Sequence, residues 1–241
     1  MSEAAKGFGK TGDALLREDF RGVESWIFDL DNTLYPASCD LFAEIEMRMG
    51  LFISQLLGLD REAAHALRQR YYREHGTTLA GLMARHGTNP RHFMSFVHDI
   101  DLSLIPPNPQ LCALLGRLPG RKLVFTNGSA AHAQRVMARV GIEDHFCSVF
   151  DIEAADFVPK PSPETMDALL HHHAIEPKRA AMFDDIAANL LPAHALGMKT
   201  VWIRTPKNYA PGAAPIPAAH IHHETDDLTK FLAEAVLTDT E

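Results

Sequence analysis

Five short apolar runs punctuate the chain: SWIF ending at Phe28, KLVFT at Thr126, SVFD at Asp151, AAMF at Phe183 and TVWI at Ile203. Each has strand length and the Val, Ile, Phe or Trp content that suits a pleated surface. From the second run onward they alternate with the helical stretches SAAHAQRVMARVG, SPETMDALLHHHA and ANLLPAHALG. Gly141 and Gly197 stand where a helix C-terminal glycine belongs, and Ser162-Pro163 is a helix start signal. Alternation of this kind predicts an α/β fold with a doubly wound, Rossmann-like parallel sheet, helices on both faces and right-handed crossovers. Ligands of such sheets bind beyond the carboxyl ends of the strands.

The interval between the first and second runs is too long for one crossover, and from Asp40 to Gly116 it reads as a series of helices with polar faces. This predicts an inserted helical cap over residues 37–107, with residues 1–36 and 108–241 forming the α/β core. Leu34 to Ser38 and the proline-rich Ile105 to Pro109 are the expected hinges, because proline stiffens a connection without continuing a helix. A surface loop is expected from Pro206 to Ala219, followed by an amphipathic helix from Asp226 to Leu237.

At 241 residues, 46% of them hydrophobic, the chain can bury a sizeable core. A formal charge of -8 without a Lys/Arg stripe argues against nucleic acid as a partner. The sequence contains no run of membrane-spanning length and no hydrophobic leader at its start, so a cytoplasmic protein, monomeric or homodimeric, is expected. Cys39, Cys112 and Cys147 are odd in number and lack CxxC spacing, which predicts reduced structural thiols.

Chemistry concentrates in four fragments that the fold brings to one sheet edge. In FDLDNTLYP, Asp29 and Asp31 follow directly on a strand. Residues two apart in an extended chain face the same way, so the two carboxylates should repel each other and require something positive nearby. The remaining fragments are Thr126-Asn127-Gly128-Ser129, Lys160-Pro161 and Asp184-Asp185. Converging carboxylates make an oxygen-rich site for Mg2+, which favours a few carboxylates, waters and a substrate phosphate. The TNGS turn would present a hydroxyl and backbone N–H groups at a helix start, and Gly128 lets that backbone come close to an anion. With phosphate held by Mg2+, Lys160 and Thr126, one carboxylate can attack phosphorus and a second can serve as acid and then base.

On these residues the sequence resembles the haloacid dehalogenase-like superfamily of phosphohydrolases, whose four motifs match FDLDNTLYP, VFTNGS, the lysine of VPKP and FDDIAANL in order. The resemblance implies Asp29 as nucleophile, Asp31 as general acid/base, and Thr126 and Lys160 on the phosphate. It further implies Mg2+ bound by the Asp29 side chain, the Asp31 backbone carbonyl and Asp185, with Asp184 acting through water and Asn189 supporting that loop. Dehalogenases of the superfamily lack the second aspartate, so Asp31 points to phosphate transfer. YYREHGTTLAGLMARHG, FVHDIDLSLIPPNP and FTNGSAAHAQRVMARVGI are similar to the pyrimidine 5'-nucleotidase group, which implies a nucleoside monophosphate substrate. The alternatives are a phosphatase on another small phosphometabolite, a phosphomutase that resembles this class in its motifs, and a non-catalytic phospho-ligand-binding protein.

Within the cap, Tyr71 and Tyr72 cannot both face one pocket, since adjacent helical residues point apart; one of them can stack on a base. His98-Asp99 reads equally as an imidazole at the site mouth or a helix-end polar pair. His171 to His173 reads as a solvated helix face. Arg48 and Arg85 have no motif context, and Thr77 to Leu82 is the stretch expected to touch substrate.

Overall fold

The computed structural model describes residues 17–206 and 218–237. Its centre is a six-stranded, all-parallel sheet of β1 (Ser25–Phe28), β2 (Arg121–Phe125), β3 (Ser148–Phe150), β4 (Ala180–Asp184), β5 (Lys199–Ile203) and β6 (His223–Thr225). The spatial order is β3-β2-β1-β4-β5-β6, so the chain winds outward from β1 in one direction and then restarts at β4 on its other side. The crevice where that order reverses, beside the carboxyl ends of β1 and β4, is where a doubly wound sheet binds ligands.

Side chains alternate across this sheet as the pleat requires. Trp26, Phe28, Val124, Ala181, Phe183 and Val201 pack into one apolar layer, and Ile27, Leu123, Phe125, Phe150 and Met182 into the other. All four residues of β1 are buried, as expected of a central strand covered on both faces. The first layer is completed by α5 (Pro109–Arg117), α6 (Ala130–Val140) and α9 (Leu228–Phe231), through residues such as Leu114, Val136 and Phe231. The second is completed by α7 (Pro163–His173) and α8 (Leu190–Ala195), through Met166, Leu169 and Leu190.

Between β1 and α5 lie α1 (Leu41–Leu57), α2 (Arg61–His75), α3 (Thr78–His86) and α4 (Pro90–Val97). Their starts are set locally: Asp60, Thr77 and Asn89 each accept a hydrogen bond from a backbone N–H in the first turn, and Pro90 occupies a first-turn position where no N–H is needed. Gly81 lets α3 lie against α2, because a Cβ there would sit 2.5 Å from the Cβ of Tyr71. Phe52 on α1 meets Phe93 of α4 edge to face at 5.1 Å, and Arg48 bonds the Phe96 carbonyl and Asp99, joining the same two helices.

Two elements differ from the sequence reading. A sixth strand, β6, is His-Glu-Thr and carries no apolar signature; it forms because the β5 edge offers its backbone partners. The last helix is also not uniform: α9 begins at Leu228 and passes into a wider turn over Leu232–Val236. Most of the loop expected after Pro206 lies outside the described residues, as does the start of the chain. Among the described residues no helix is long and apolar enough to cross a membrane. The three cysteines are free, and Cys147 is on the surface rather than in the core.

Candidate active site

Asp29 is the first residue beyond β1, and its backbone N–H still donates to the Phe183 carbonyl of β4 at 2.8 Å. The chain then turns, with Leu34 N–H donating to the Leu30 carbonyl at 3.0 Å and Asn32 at φ 61°. Asp31 therefore sits in a turn rather than in continuing strand. The two aspartates share the sheet edge, but the turn removes the extended geometry that would make them face the same way, and their side chains have different partners.

Asp29 is paired with Lys160, whose Nζ donates to Asp29 Oδ1 at 2.7 Å, Asp184 Oδ2 at 2.8 Å and the Phe125 carbonyl at 2.8 Å. All three ammonium hydrogens thus have protein acceptors, and a phosphate reaching Lys160 must share one of them. The ammonium is buried; burial works against its charge, but Asp184 and Asp29 outweigh that and raise its pKa. Lys160 is placed in turn by Asn127, whose Oδ1 accepts from the Lys160 N–H at 2.8 Å and whose Nδ2 donates to its carbonyl at 3.3 Å. This was not part of the role expected for Asn127: its side chain fixes the lysine loop.

Asp184 is fully buried at the end of β4, with Oδ1 accepting from the Ile186 N–H and from Asn189 Nδ2, each at 2.9 Å. Asp185 is more open and accepts from Asn32 Nδ2 at 3.3 Å. Ligand atoms of Asp29, Asp184 and Asp185 all lie within 4.8 Å of one another, which is the spacing of groups that share one ion. The Asp31 side chain does not belong to that carboxylate group.

The electrostatics fit a cation there. Burial pushes Asp29 up to about 7 even though Lys160 pulls it down, and Asp184 and Asp31 add repulsion. Burial, followed by repulsion from Asp29 and Asp184, also raises Asp185 well above the usual carboxylate range. One lysine does not neutralise this cluster, and a small hard dication among the oxygens would.

Asp31 occupies a different setting. Its Oδ1 accepts from the Tyr35 hydroxyl at 2.7 Å and lies 3.0 Å from His132 Nε2. Burial works to raise this carboxyl, but the charge and hydrogen bond of His132, with the Tyr35 bond, hold it below the usual range. His132 was missed in the sequence. The available signal was its position three residues after Ser129 on the first turn of α6, where Ser129 Oγ accepts from the His132 N–H. Thr126 Oγ1 accepts from the Gly128 N–H at 2.9 Å, which leaves the hydroxyl hydrogen free for a ligand.

A cavity of about 780 Å3 runs from these groups to the helical segment, where Phe42, Ile45, Met49, Tyr72, Leu79 and Phe93 line it. Tyr71 points away from it, buried and 2.7 Å from His86 Nε2, so Tyr72 is the tyrosine available to a substrate. Thr77 and Thr78 line the cavity, but the first caps α3 and the second donates to the Arg68 carbonyl. Arg48 is held by α4 and Arg85 is exposed outside the cavity. His98 is buried, lines the cavity and stacks on His132, whereas Asp99 is exposed. His171 and His172 are exposed, as a solvated face requires, and His173 is half-buried beside Phe150.

With this geometry in place, the match to the haloacid dehalogenase-like hydrolases over residues 26–197 becomes interpretable. The chain belongs to that family. It is similar to phosphate metabolism protein 8 of Saccharomyces cerevisiae, 28% identical over 190 residues that cover 72% of this chain and 59% of that protein. It is also similar to a glyceraldehyde 3-phosphate phosphatase of Methanopyrus kandleri, 27% identical over 209 residues, 77% of this chain and 85% of the relative. Among solved structures, CbbY from Rhodobacter sphaeroides in complex with phosphate matches with a TM-score of 0.58 at 18% identity, covering 87% of this chain and 96% of that one. An L-2-haloacid dehalogenase matches at 0.54 and 18% identity, covering 88% and 100%. At such identities the solved structures establish the fold alone: a Rossmann-like α/β core with a parallel sheet.

Proposed function

We propose that the chain is a Mg2+-dependent phosphomonoesterase working through an aspartyl-phosphate on Asp29. The observation that carries this reading is the segregation of the carboxylates: Asp29 clusters with Asp184 and Asp185 within 4.8 Å, while Asp31 stands apart on His132 and Tyr35. One group thus suits a metal and a nucleophile, and the other suits proton transfer.

The metal, held by Asp29, Asp185 and the Asp31 carbonyl with Asp184 behind them, would neutralise phosphate charge and keep Asp29 ionised. Asp29 attacks phosphorus, the bond to the ester oxygen breaks, and Asp31 gives that oxygen its proton. An arriving phosphate adds negative charge beside Asp31, which raises its proton affinity for this step. Asp31 then takes a proton from water as the water attacks the aspartyl-phosphate, releasing inorganic phosphate and restoring Asp29. Thr126, the TNGS backbone around Asn127 and Gly128, and Lys160 hold the phosphate oxygens.

The helical residues 37–107 act as the cap that selects the rest of the substrate, and a nucleoside 5'-monophosphate is the class we favour. A cavity of about 780 Å3 with Tyr72 and Phe93 in its wall has room for a base and ribose. The archaeal relative's name supports a second reading, a three-carbon phosphate, which would leave most of that volume unfilled.

Phosphate release from nucleotides, triose phosphates and sugar phosphates decides between these readings. Asp29→Asn and metal chelation should each abolish turnover, with Asp29→Asn losing on the order of 10^4-fold or more. Full activity in Asp29→Asn would end the proposed mechanism. Turnover of sugar or triose phosphates alone would end the nucleotide reading and leave the mechanism standing.

A further inference from the structure

Asp31 is held from one side only. Both of its hydrogen-bond partners, Tyr35 Oη and His132 Nε2, engage Oδ1; among the described residues Oδ2 has none. A carboxylate oxygen only accepts, so Nε2 carries the proton in this contact. The other ring nitrogen of His132, Nδ1, is buried without a partner, which directs the imidazole's hydrogen bonding at Asp31 alone.

The ring is further immobilised by stacking. His98, at the C-terminal end of α4, lies over His132 with centroids 4.2 Å apart and planes 11° apart. His98 Nδ1 is 2.9 Å from Ser129 Oγ, which also accepts the His132 backbone N–H. Its backbone is gripped from α6: Arg135 donates to the His98 carbonyl at 2.9 Å and the Ile100 carbonyl at 2.7 Å. Gly128 packs beside this stack: a Cβ there would meet both imidazoles at an ordinary contact distance of 3.6 Å and would crowd Thr126 Oγ1 at 3.1 Å.

We propose that His132 is a positioning residue: with Tyr35 it clamps Asp31 Oδ1, so that Oδ2 is the oxygen presented to the scissile ester. The inference rests on the phosphomonoesterase reading above and assigns a role to a side chain that does not touch substrate. Proton transfer from a correctly placed carboxyl contributes typically about 10^2 to 10^4 in rate, and a carboxyl free to rotate loses part of that. The loss should appear only where the leaving oxygen needs a proton.

The test compares phenyl phosphate, whose leaving group needs protonation, with 2,4-dinitrophenyl phosphate, whose leaving group does not. In His132→Phe, which keeps a ring for His98 to stack on but has no N–H, kcat/KM for the phenyl ester should fall on the order of 100-fold. For the dinitrophenyl ester it should fall less than about fivefold, because proton donation contributes little there. His132→Gln, which restores an N–H donor, should recover roughly tenfold on the phenyl ester. Equal losses on both esters, or no loss on the phenyl ester, overturn the proposal. If His132→Phe fails to fold, Tyr35→Phe removes one bond to Oδ1 while keeping its ring, and the same selective or uniform outcomes decide. A wild-type protein that turns over neither ester would instead defeat the phosphomonoesterase reading itself.

Discussion

The sheet edge and the helical wall facing it are built by opposite rules. At the edge, buried carboxylates meet specific donors: Lys160 for Asp29 and Asp184, Asn189 for Asp184, Tyr35 and His132 for Asp31. Across the cavity, Phe42, Ile45, Met49 and Phe93 offer shape and apolar surface, and the nearby threonine hydroxyls are engaged by helix backbone, Thr77 capping α3 and Thr78 donating to the Arg68 carbonyl of α2. Directional bonds at low dielectric hold reacting groups to fixed positions, whereas apolar walls discriminate weakly and tolerate changes of volume. The edge is thus suited to fix the chemistry, and the wall to admit a class of substrate by shape rather than to single out one.

The sharpest way to break this contrast is at Lys160. Lys160→Met leaves two buried carboxylates without their shared cation and should cost about 3–5 kcal/mol in a denaturant titration run with chelator. A loss below about 1 kcal/mol would mean the edge is held by packing, like the wall.

On the wall side, Gly81→Ala forces a methyl against Tyr71 and should destabilise by about 1–3 kcal/mol, whereas Gly50→Ala, with nothing within 4 Å, should stabilise α1 by about 0.5–1 kcal/mol. Thermal unfolding of the two variants side by side checks both signs.

His98 joins the two regions and gives the contrast a pH dependence. Burial first, then the charge of His132, depresses its pKa to about 3, so it folds neutral. The unfolded imidazole, with a pKa near about 6.5, binds a proton that the folded one refuses. Stability from this group is therefore present above the unfolded value and falls with pH toward about 3, by up to about 1.4 kcal/mol per pH unit. Denaturant midpoints at pH 7 and 5 should fall less steeply in His98→Asn than in the parent.

The smallest expected effect is at Tyr72, whose half-buried ring lines the cavity. Tyr72→Ala should raise KM for a nucleoside monophosphate several-fold, roughly 1 kcal/mol, with less change for a triose phosphate. Equal changes for both would remove Tyr72 from substrate selection.

Much of the edge was legible in the sequence because it is built from short contiguous motifs at strand ends. Once the alternation of apolar runs implied a parallel sheet, Asp29, Thr126 and Asp184 were expected at its carboxyl edge, and Lys160, in the loop before α7, was marked by its motif rather than by a strand end. The partners of Asp31 were not legible. His132 is one of fourteen histidines and reaches Asp31 across 101 residues of chain, so its place on the first turn after the TNGS motif marks it only weakly. The strand His223–Thr225 escaped for a related reason, since an edge strand of polar residues is specified by its neighbour's backbone.

The sequence by itself determined the fold class and which motif side chains gather at the sheet edge as candidates, because periodicity and short motifs encode local geometry that a sheet then assembles. Only the tertiary structure decided which carboxylate faces which partner. Asp29 and Asp31 differ by two positions in the chain, and their contrasting proton affinities come from burial and the repulsion of Asp184 at Asp29, which outweigh the pull of Lys160, and from His132 and Tyr35 at Asp31. Electrostatic environment depends on distance in space and on burial, and neither is written in the local sequence.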